Sequence, residues 1–149
     1  MKWFLMIVGV TLLVGLIAYI AMAIQSHKRP DDLGLQQGQL RLCPDSPNCV
    51  CSEEHSQSSE QHAIAPIKAD DETWDQLKGL VTKSGGIIQS DDGNYLHATF
   101  TTPIFRYVDD VELRLDEANR LIHLRSASRV GRSDFGVNRK RVEGIIQTR

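Results

Sequence analysis

Little in this sequence announces a chemistry. The 149 residues include three cysteines and five prolines, aromatic residues make up 6%, and the formal net charge is −2. No two cysteines stand in C-x-x-C spacing, which excludes a thioredoxin-like thiol chemistry. The run C-x5-C-x-C-x3-H from Cys43 to His55 fits no zinc template, and adding His62 does not mend it. No metal or cofactor is expected. There is no G-x-S-x-G and no P-loop, so no catalytic residue is assigned and the reading leans away from an enzyme. A charge this close to zero excludes a general polyanion binder, and nucleic acid is not an expected partner. The length excludes a two-domain enzyme, a Rossmann unit with a substrate domain and a multi-span transporter.

What the chain does have is one long apolar run. Residues 1–24 contain 20 of its 61 apolar residues, and residues 3–24 carry no charge. About 20 apolar residues cross the hydrocarbon of a bilayer. Trp3 and Tyr19 suit its interfaces. A buried core helix of this length would show a polar face, and this run shows none. The segment reads as a single-pass signal anchor. Cleavage after Ala21-Met22-Ala23 is the alternative, and the run is longer than a signal-peptide core. Lys2 and the terminal amine face Lys28 and Arg29 across the run, so charge sets no orientation; a two-residue head is easily left inside, and the rest of the chain is expected outside the cytoplasm, at the cell membrane.

Residues 25–62 hold eight apolar residues in 38, three of them cysteine, with three Lys/Arg and six Asp/Glu. Such a stretch buries too little to offset its ordering entropy and reads as a polar tether around a small knot, Cys43 to Cys51. In an oxidising compartment Cys43 and Cys49 can close a loop around Pro44 and Pro47, leaving Cys51 as a free thiol or an intermolecular partner. Residues 63–149 hold 33 apolar residues in 87, with acidic and basic residues balanced at 13 each, and read as the compact domain.

The periodicities inside that domain are legible. Asp70-Asp71 can cap a helix carrying Trp74, Leu77, Leu80 and Val81 at helical spacing, and Gly85-Gly86 stops it. Strands are expected at Ile87-Ile88 and over 95–102, where Leu96, Ala98 and Phe100 alternate with His97, Thr99 and Thr101. His97 and His123 are expected on polar faces, solvated or surface-paired. Residues 110–116 and 121–127 form a hairpin in which Leu115 faces Ile122, Leu113 faces Leu124 and Glu112 faces Arg125. A last helix runs from Gly136 to Gln147, with Val142, Ile145 and Ile146 as its apolar stripe. The fold class is α+β: an antiparallel sheet of four to five strands with two helices on one face, preceded by one transmembrane helix.

The densest segment is SASRVGRSDFGVNRKRVE, residues 126–143. Asp134 or Asn138 can supply the N-cap of the last helix. Three basic residues in its first turn oppose the helix dipole, which calls for an offset. One reading is an anion site built from Arg106, Ser128, Arg129, Ser133, Asp134, Asn138 and Arg139, taking an anionic small molecule, a lipid head group or a protein partner. The opposing reading is an internal network in which these arginines meet Asp109, Asp110, Glu112 and Asp134. A small hydrolase or transferase using the same Ser/Arg/Asp cluster needs a pocket with a base beside a nucleophile. A purely structural interaction module needs an exposed sheet face.

Four stretches carry a resemblance: Cys43-Pro44-Asp45-Ser46-Pro47-Asn48-Cys49-Val50, Ile64-Ala65-Pro66-Ile67, Tyr107-Val108-Asp109-Asp110-Val111-Glu112, and residues 126–143 from Ser126 to Glu143. Together they resemble the domain-of-unknown-function family 1499, over roughly residues 40–148. The resemblance implies a small α+β domain, often tethered to a membrane or exported, and implies no activity, cofactor or catalytic residue. The family usually carries Ser-Ser after the Asn-Cys-Val step, and Cys51 takes the first of those places. That implies Cys43 and Cys49 as the pair, with Cys49–Cys51 and Cys43–Cys51 as the other pairings.

Overall fold

The computed structural model describes residues 1–70 and 72–148. Helix α1, Lys2–Ser26, is long and apolar enough to cross a membrane, and none of its most apolar stretch is buried against the rest of the chain. Two short strands follow, β1 (Leu35–Gln36) and β2 (Gln39–Leu40), paired with each other. Then come β3 (Cys49–Cys51), β4 (Ile67–Lys68), helix α2 (Thr73–Lys83), β5 (Ile87–Asp91), β6 (Tyr95–Thr101), β7 (Val108–Asp116), β8 (Leu121–Ser128) and helix α3 (Val137–Gln147).

The main sheet is antiparallel and has six strands, in the order β3-β8-β7-β6-β5, with β4 also on β8. Four to five were expected; the additions come from short segments whose pairing lies outside any periodicity. The hairpin register is as read from the sequence: Leu115 faces Ile122, Leu113 faces Leu124 and Glu112 faces Arg125. Leu96, Ala98, Val111, Leu113, Ile122 and Leu124 form one core with Leu77 and Val81 of α2 and Val142 and Ile145 of α3. Asp70 opens α2 by accepting from the Glu72 N–H at 3.3 Å and from the Thr73 hydroxyl; Asp71 lies outside the described residues. Past α2, Gly85 has φ +92°, and a Cβ on Gly86 would stand 2.7 Å from the Phe100 ring.

The opposite face of the sheet is where the structure departs from the sequence reading. On β6, β7 and β8 it carries Tyr95, His97, Asp110, Glu112, Arg114, His123 and Arg125, and all but half-buried Tyr95 are buried. His97, expected to be solvated or surface-paired, is 1% exposed. The cover comes from residues 26–53, read above as a tether. Cys49–Cys51 pairs with β8, Leu40 and Cys43 pack on Cys49, Cys51 and Ala127, and the Gly34 N–H donates to Glu112 at 3.0 Å. This layer is held by polar contacts and a disulfide, so its low apolar content concealed it.

Cys43 and Cys49 form the disulfide, with Cα atoms 5.6 Å apart. Cys51 is free and buried, and burial, partly offset by hydrogen bonds at Glu53 and Ser56, pushes its thiol pKa up. It is therefore a poor nucleophile and a poor intermolecular partner. Chain-entropy cost for so short a loop predicts that the Cys43→Ser/Cys49→Ser variant loses about 2 kcal/mol. Urea unfolding with and without reductant checks this: the reductant should lower the wild-type midpoint and leave the variant unmoved.

Candidate functional site

The basic C-terminal segment does not converge on one point. The N-cap position of α3 is Gly136, not Asp134 or Asn138; Asp134, two residues before it, still serves the helix start, its carboxylate accepting from the Gly136 N–H at 3.0 Å and the Asn138 N–H at 2.7 Å. That negative charge is the offset which the basic first turn calls for. Asn138 is buried, donating to the Asn48 carbonyl at 3.1 Å and to Ser128 Oγ at 2.9 Å. Arg141 reaches Asp109 at 2.7 Å and lies 4.6 Å over the Phe100 ring. Arg139 points elsewhere, to the carbonyls of Ala63 (2.9 Å), Gln61 (3.1 Å) and Glu60 (3.4 Å). Ser133 is exposed and accepts from the Phe135 N–H. Arg106 is exposed with φ 57°.

Arg129 crosses to the other face of the sheet. Its Nε and one terminal nitrogen grip Asp110 at 2.8 and 2.7 Å, and its other terminal nitrogen donates to the Ser26 carbonyl at 3.2 Å and to that of Lys28 at 3.4 Å. Asp110 also bonds His97 Nε2 at 2.7 Å. Arg125, Arg129 and Arg141 thus meet Glu112, Asp110 and Asp109, part of what the internal-network reading describes, while Arg139 meets backbone carbonyls and Asp134 meets backbone N–H groups. The hydroxyls of Ser128 and Ser133 have neither a histidine nor a carboxylate among their hydrogen-bond partners. Both oxygens of Asp134 are committed. No base stands beside a nucleophile in this cluster, among the described residues.

Two arginines outside the predicted site, Arg125 and Arg41, complete a different arrangement. Arg125 is 2% exposed, and one of its terminal nitrogens donates to Glu112 at 3.0 Å. Glu112 also accepts from the Tyr95 hydroxyl at 2.8 Å. Arg41 is ion-paired with Asp32 at the surface and lies 4.0 Å from Glu112. The Nε groups of both Arg41 and Arg125 are buried without a hydrogen-bond partner among the described residues, that of Arg41 facing Glu112 at 4.0 Å. Burial and the Arg41 charge push the Arg125 pKa down against the pull of Glu112. Arg41, Arg125 and Arg129, with Ser128, line a cleft of about 450 Å³ beside Pro30 and Cys43. Ser128 and Arg129 are the two predicted residues in it. Arg125 was legible only as the hairpin partner of Glu112. Arg41 sits in a stretch with no periodicity to place it.

A second buried group lies at the far end of the same face. Glu53, 1% exposed, takes a bidentate pair from Arg114 at 2.8 and 2.9 Å, the Leu40 N–H at 3.0 Å, and lies 3.4 Å from His123 Nδ1. Ser52 Oγ is 3.4 Å from that same His123 nitrogen. With serine and carboxylate on one ring nitrogen there is no proton relay. His55 and His62 contact the carbonyls of Leu40 and Cys49, each at 2.9 Å.

A family model described as "Protein of unknown function (DUF1499)" matches residues 39–148. No curated protein and no solved structure matches the chain. The matched span begins beside Leu40 and takes in the covering layer from there, β3 and the whole sheet.

Proposed function

The chain belongs to the DUF1499 family of proteins of unknown function, and from that premise we propose that it is a membrane-anchored, extracytoplasmic domain that binds an anion in the cleft of Arg41, Arg125 and Arg129. The ligand class is a phosphate-bearing small molecule or lipid head group. The observation that carries this reading is the pair of buried Nε donors on Arg41 and Arg125 with no partner. An unmade hydrogen bond on a buried charged group is costly, and an oxyanion drawn in between the guanidinium groups would offset that cost. Three arginines here meet three carboxylates, Asp32, Asp110 and Glu112. An anion is therefore held by donors the carboxylates leave open, not by an excess of charge.

The position of the cleft supports the head-group form. Arg129 bonds the carbonyls of Ser26 and Lys28, where α1 ends, so the cleft opens close to where a bilayer surface would lie. The disulfide supports an oxidising compartment.

Inorganic phosphate and glycerol phosphate are the probes. A ligand at a hundred times its dissociation constant stabilises the folded state by about 2.7 kcal/mol. Either anion should raise the melting temperature of the detergent-solubilised chain in a saturable manner, and Arg41→Gln should abolish the shift. No shift at millimolar anion, or an equal shift in Arg41→Gln, would refute the reading. Arg41 is chosen because its partner Asp32 is exposed and buried Glu112, 4.0 Å away, keeps its bond from Arg125, so the substitution strands no buried carboxylate.

A further inference from the structure

We infer that the loops carrying Ile104-Phe105 and Phe135 enter the same bilayer that holds α1, giving the domain a second, non-covalent seat on the membrane. This rests on reading α1 as a membrane span. It does not depend on the arginine cleft.

The two loops are far apart in sequence and meet in space. Phe105, Tyr107, Val130, Phe135 and Val137 line one shallow groove of about 270 Å³. Phe135 is 89% exposed and Ile104 78%, with Phe105 and Val137 also open. Single exposed apolar residues are ordinary, but a cluster of them marks an interaction surface. The backbone holds the side chains outward: Arg106 and Phe135 adopt left-handed φ values of 57° and 54°. Keeping a phenylalanine there costs conformational energy, which the Phe135 N–H bond to Ser133 Oγ offsets in part.

What identifies the occupant is the junction with α1. The Tyr19 ring lies 5.9 Å from Phe105 and 6.2 Å from Tyr107, and Phe105 stacks on Tyr107 at 5.6 Å. The groove is therefore continuous with the flank of the helix. Tyr19 precedes the helix end at Ser26 by seven residues, about 10 Å at 1.5 Å per residue. The uncharged run ends at residue 24, so Phe105 sits about 7 Å inside it. Apolar faces of interfacial elements bury to about 5–10 Å, which is this depth. A Phe–Tyr–Tyr cluster suits the boundary between head groups and acyl chains. Exposed basic residues adjoin these segments in the sequence: Arg106 in one loop, Arg132 shortly before Phe135, and Lys28 and Arg29 after α1. Basic residues next to a membrane-seated segment favour anionic head groups.

The test uses the full chain in vesicles of phosphatidylcholine and phosphatidylglycerol. Spin labels are placed singly through Ile104→Cys, Phe135→Cys, Leu12→Cys and Asp92→Cys. Cys51 is buried and Cys43 is bonded to Cys49, so the introduced thiol takes the label. All four sites are exposed, which keeps the fold out of the question. Collision with oxygen, which concentrates in lipid, is compared with collision with a water-soluble nickel chelate. The Ile104 and Phe135 labels should show an oxygen-to-nickel ratio several-fold above that of Asp92, approaching that of Leu12. If they match Asp92 while Leu12 reports lipid, the seat is absent although the anchor stands. If they are shielded from both reagents, a protein or a second copy covers the groove and the inference fails. If Leu12 itself reports water, the anchor reading fails and takes this inference with it.

Discussion

Replacing Glu53 with alanine is expected to remove about 3–5 kcal/mol of stability, the range for stripping one partner from a buried ion pair. The reason is what is left behind. Arg114 is largely buried, and beyond Glu53 its remaining carboxylate is Asp116 at 3.5 Å. The Leu40 N–H, also buried, loses its acceptor. Urea unfolding of the detergent-solubilised chain measures the loss. Glu54→Ala, at the exposed neighbouring position, should stay within about 0.5 kcal/mol of wild type. The double variant Glu53→Ala/Arg114→Met should recover part of the loss, because it strands no charge. Similar small effects for Glu53→Ala and Glu54→Ala would mean that residues 40–53 hang free of the sheet.

That contrast marks where sequence reasoning stopped. The β7–β8 hairpin was legible to the residue because two independent constraints fix one register: Leu113 and Leu115 must face Leu124 and Ile122, and Glu112 must face Arg125. The two helices of the domain were legible for a related reason, an apolar stripe bounded by a capping acid and a glycine. The covered charged face was not. His97, Glu112 and Arg125 alternate with apolar residues in the same way whether they look into water or into a polar lid. The lid itself is built from the Gly34 and Leu40 N–H groups, Glu53 and a disulfide, none of which leaves a hydrophobic period. The candidate site suffered similarly. Sequence proximity grouped Arg129 with Arg139, but Arg129 faces Asp110 on one side of the sheet and Arg139 the carbonyls of 60–63 at another place. Arg41 belongs to the cleft through chain folding alone. The opposing charges within 109–141 did carry a message: acids and bases in similar numbers and close together tend to find each other, as Arg125, Arg129 and Arg141 do.

Asp110→Asn is expected to lose a comparable 3–5 kcal/mol, and to change how the protein responds to acid. Asparagine keeps the volume but withdraws the charge that Arg129 grips with two nitrogens. It also turns the charged partner of buried His97 Nε2 into a neutral amide, on a ring whose Nδ1 has no partner among the described residues. Burial pushes the Asp110 pKa up, but the hydrogen bonds from Arg129 and His97 pull harder, and the net shift is downward. Glu53 follows the same balance: burial raises it, and Arg114 with the Leu40 N–H brings it below its ordinary value. A carboxylate whose folded pKa lies below its unfolded one binds fewer protons in the folded state. Its contribution is complete above the unfolded values, about 3.9 for Asp and 4.3 for Glu, and is lost as pH falls through the folded pKa. Wild-type stability should therefore hold between pH 7 and 5 and fall steeply below about pH 4. Asp110→Asn should start lower and fall less steeply, since one of the titrating groups is gone. Unfolding free energies at pH 7, 5, 4 and 3 separate the cases. A variant that tracks the wild-type acid slope at every pH would mean that Asp110 is not the carboxylate that Arg129 and His97 hold ionised. The readout bears on the whole molecule, because Arg129 binds Asp110 and the carbonyls at the end of α1 at once. Protonating or neutralising Asp110 loosens the arginine that ties the sheet to the end of α1.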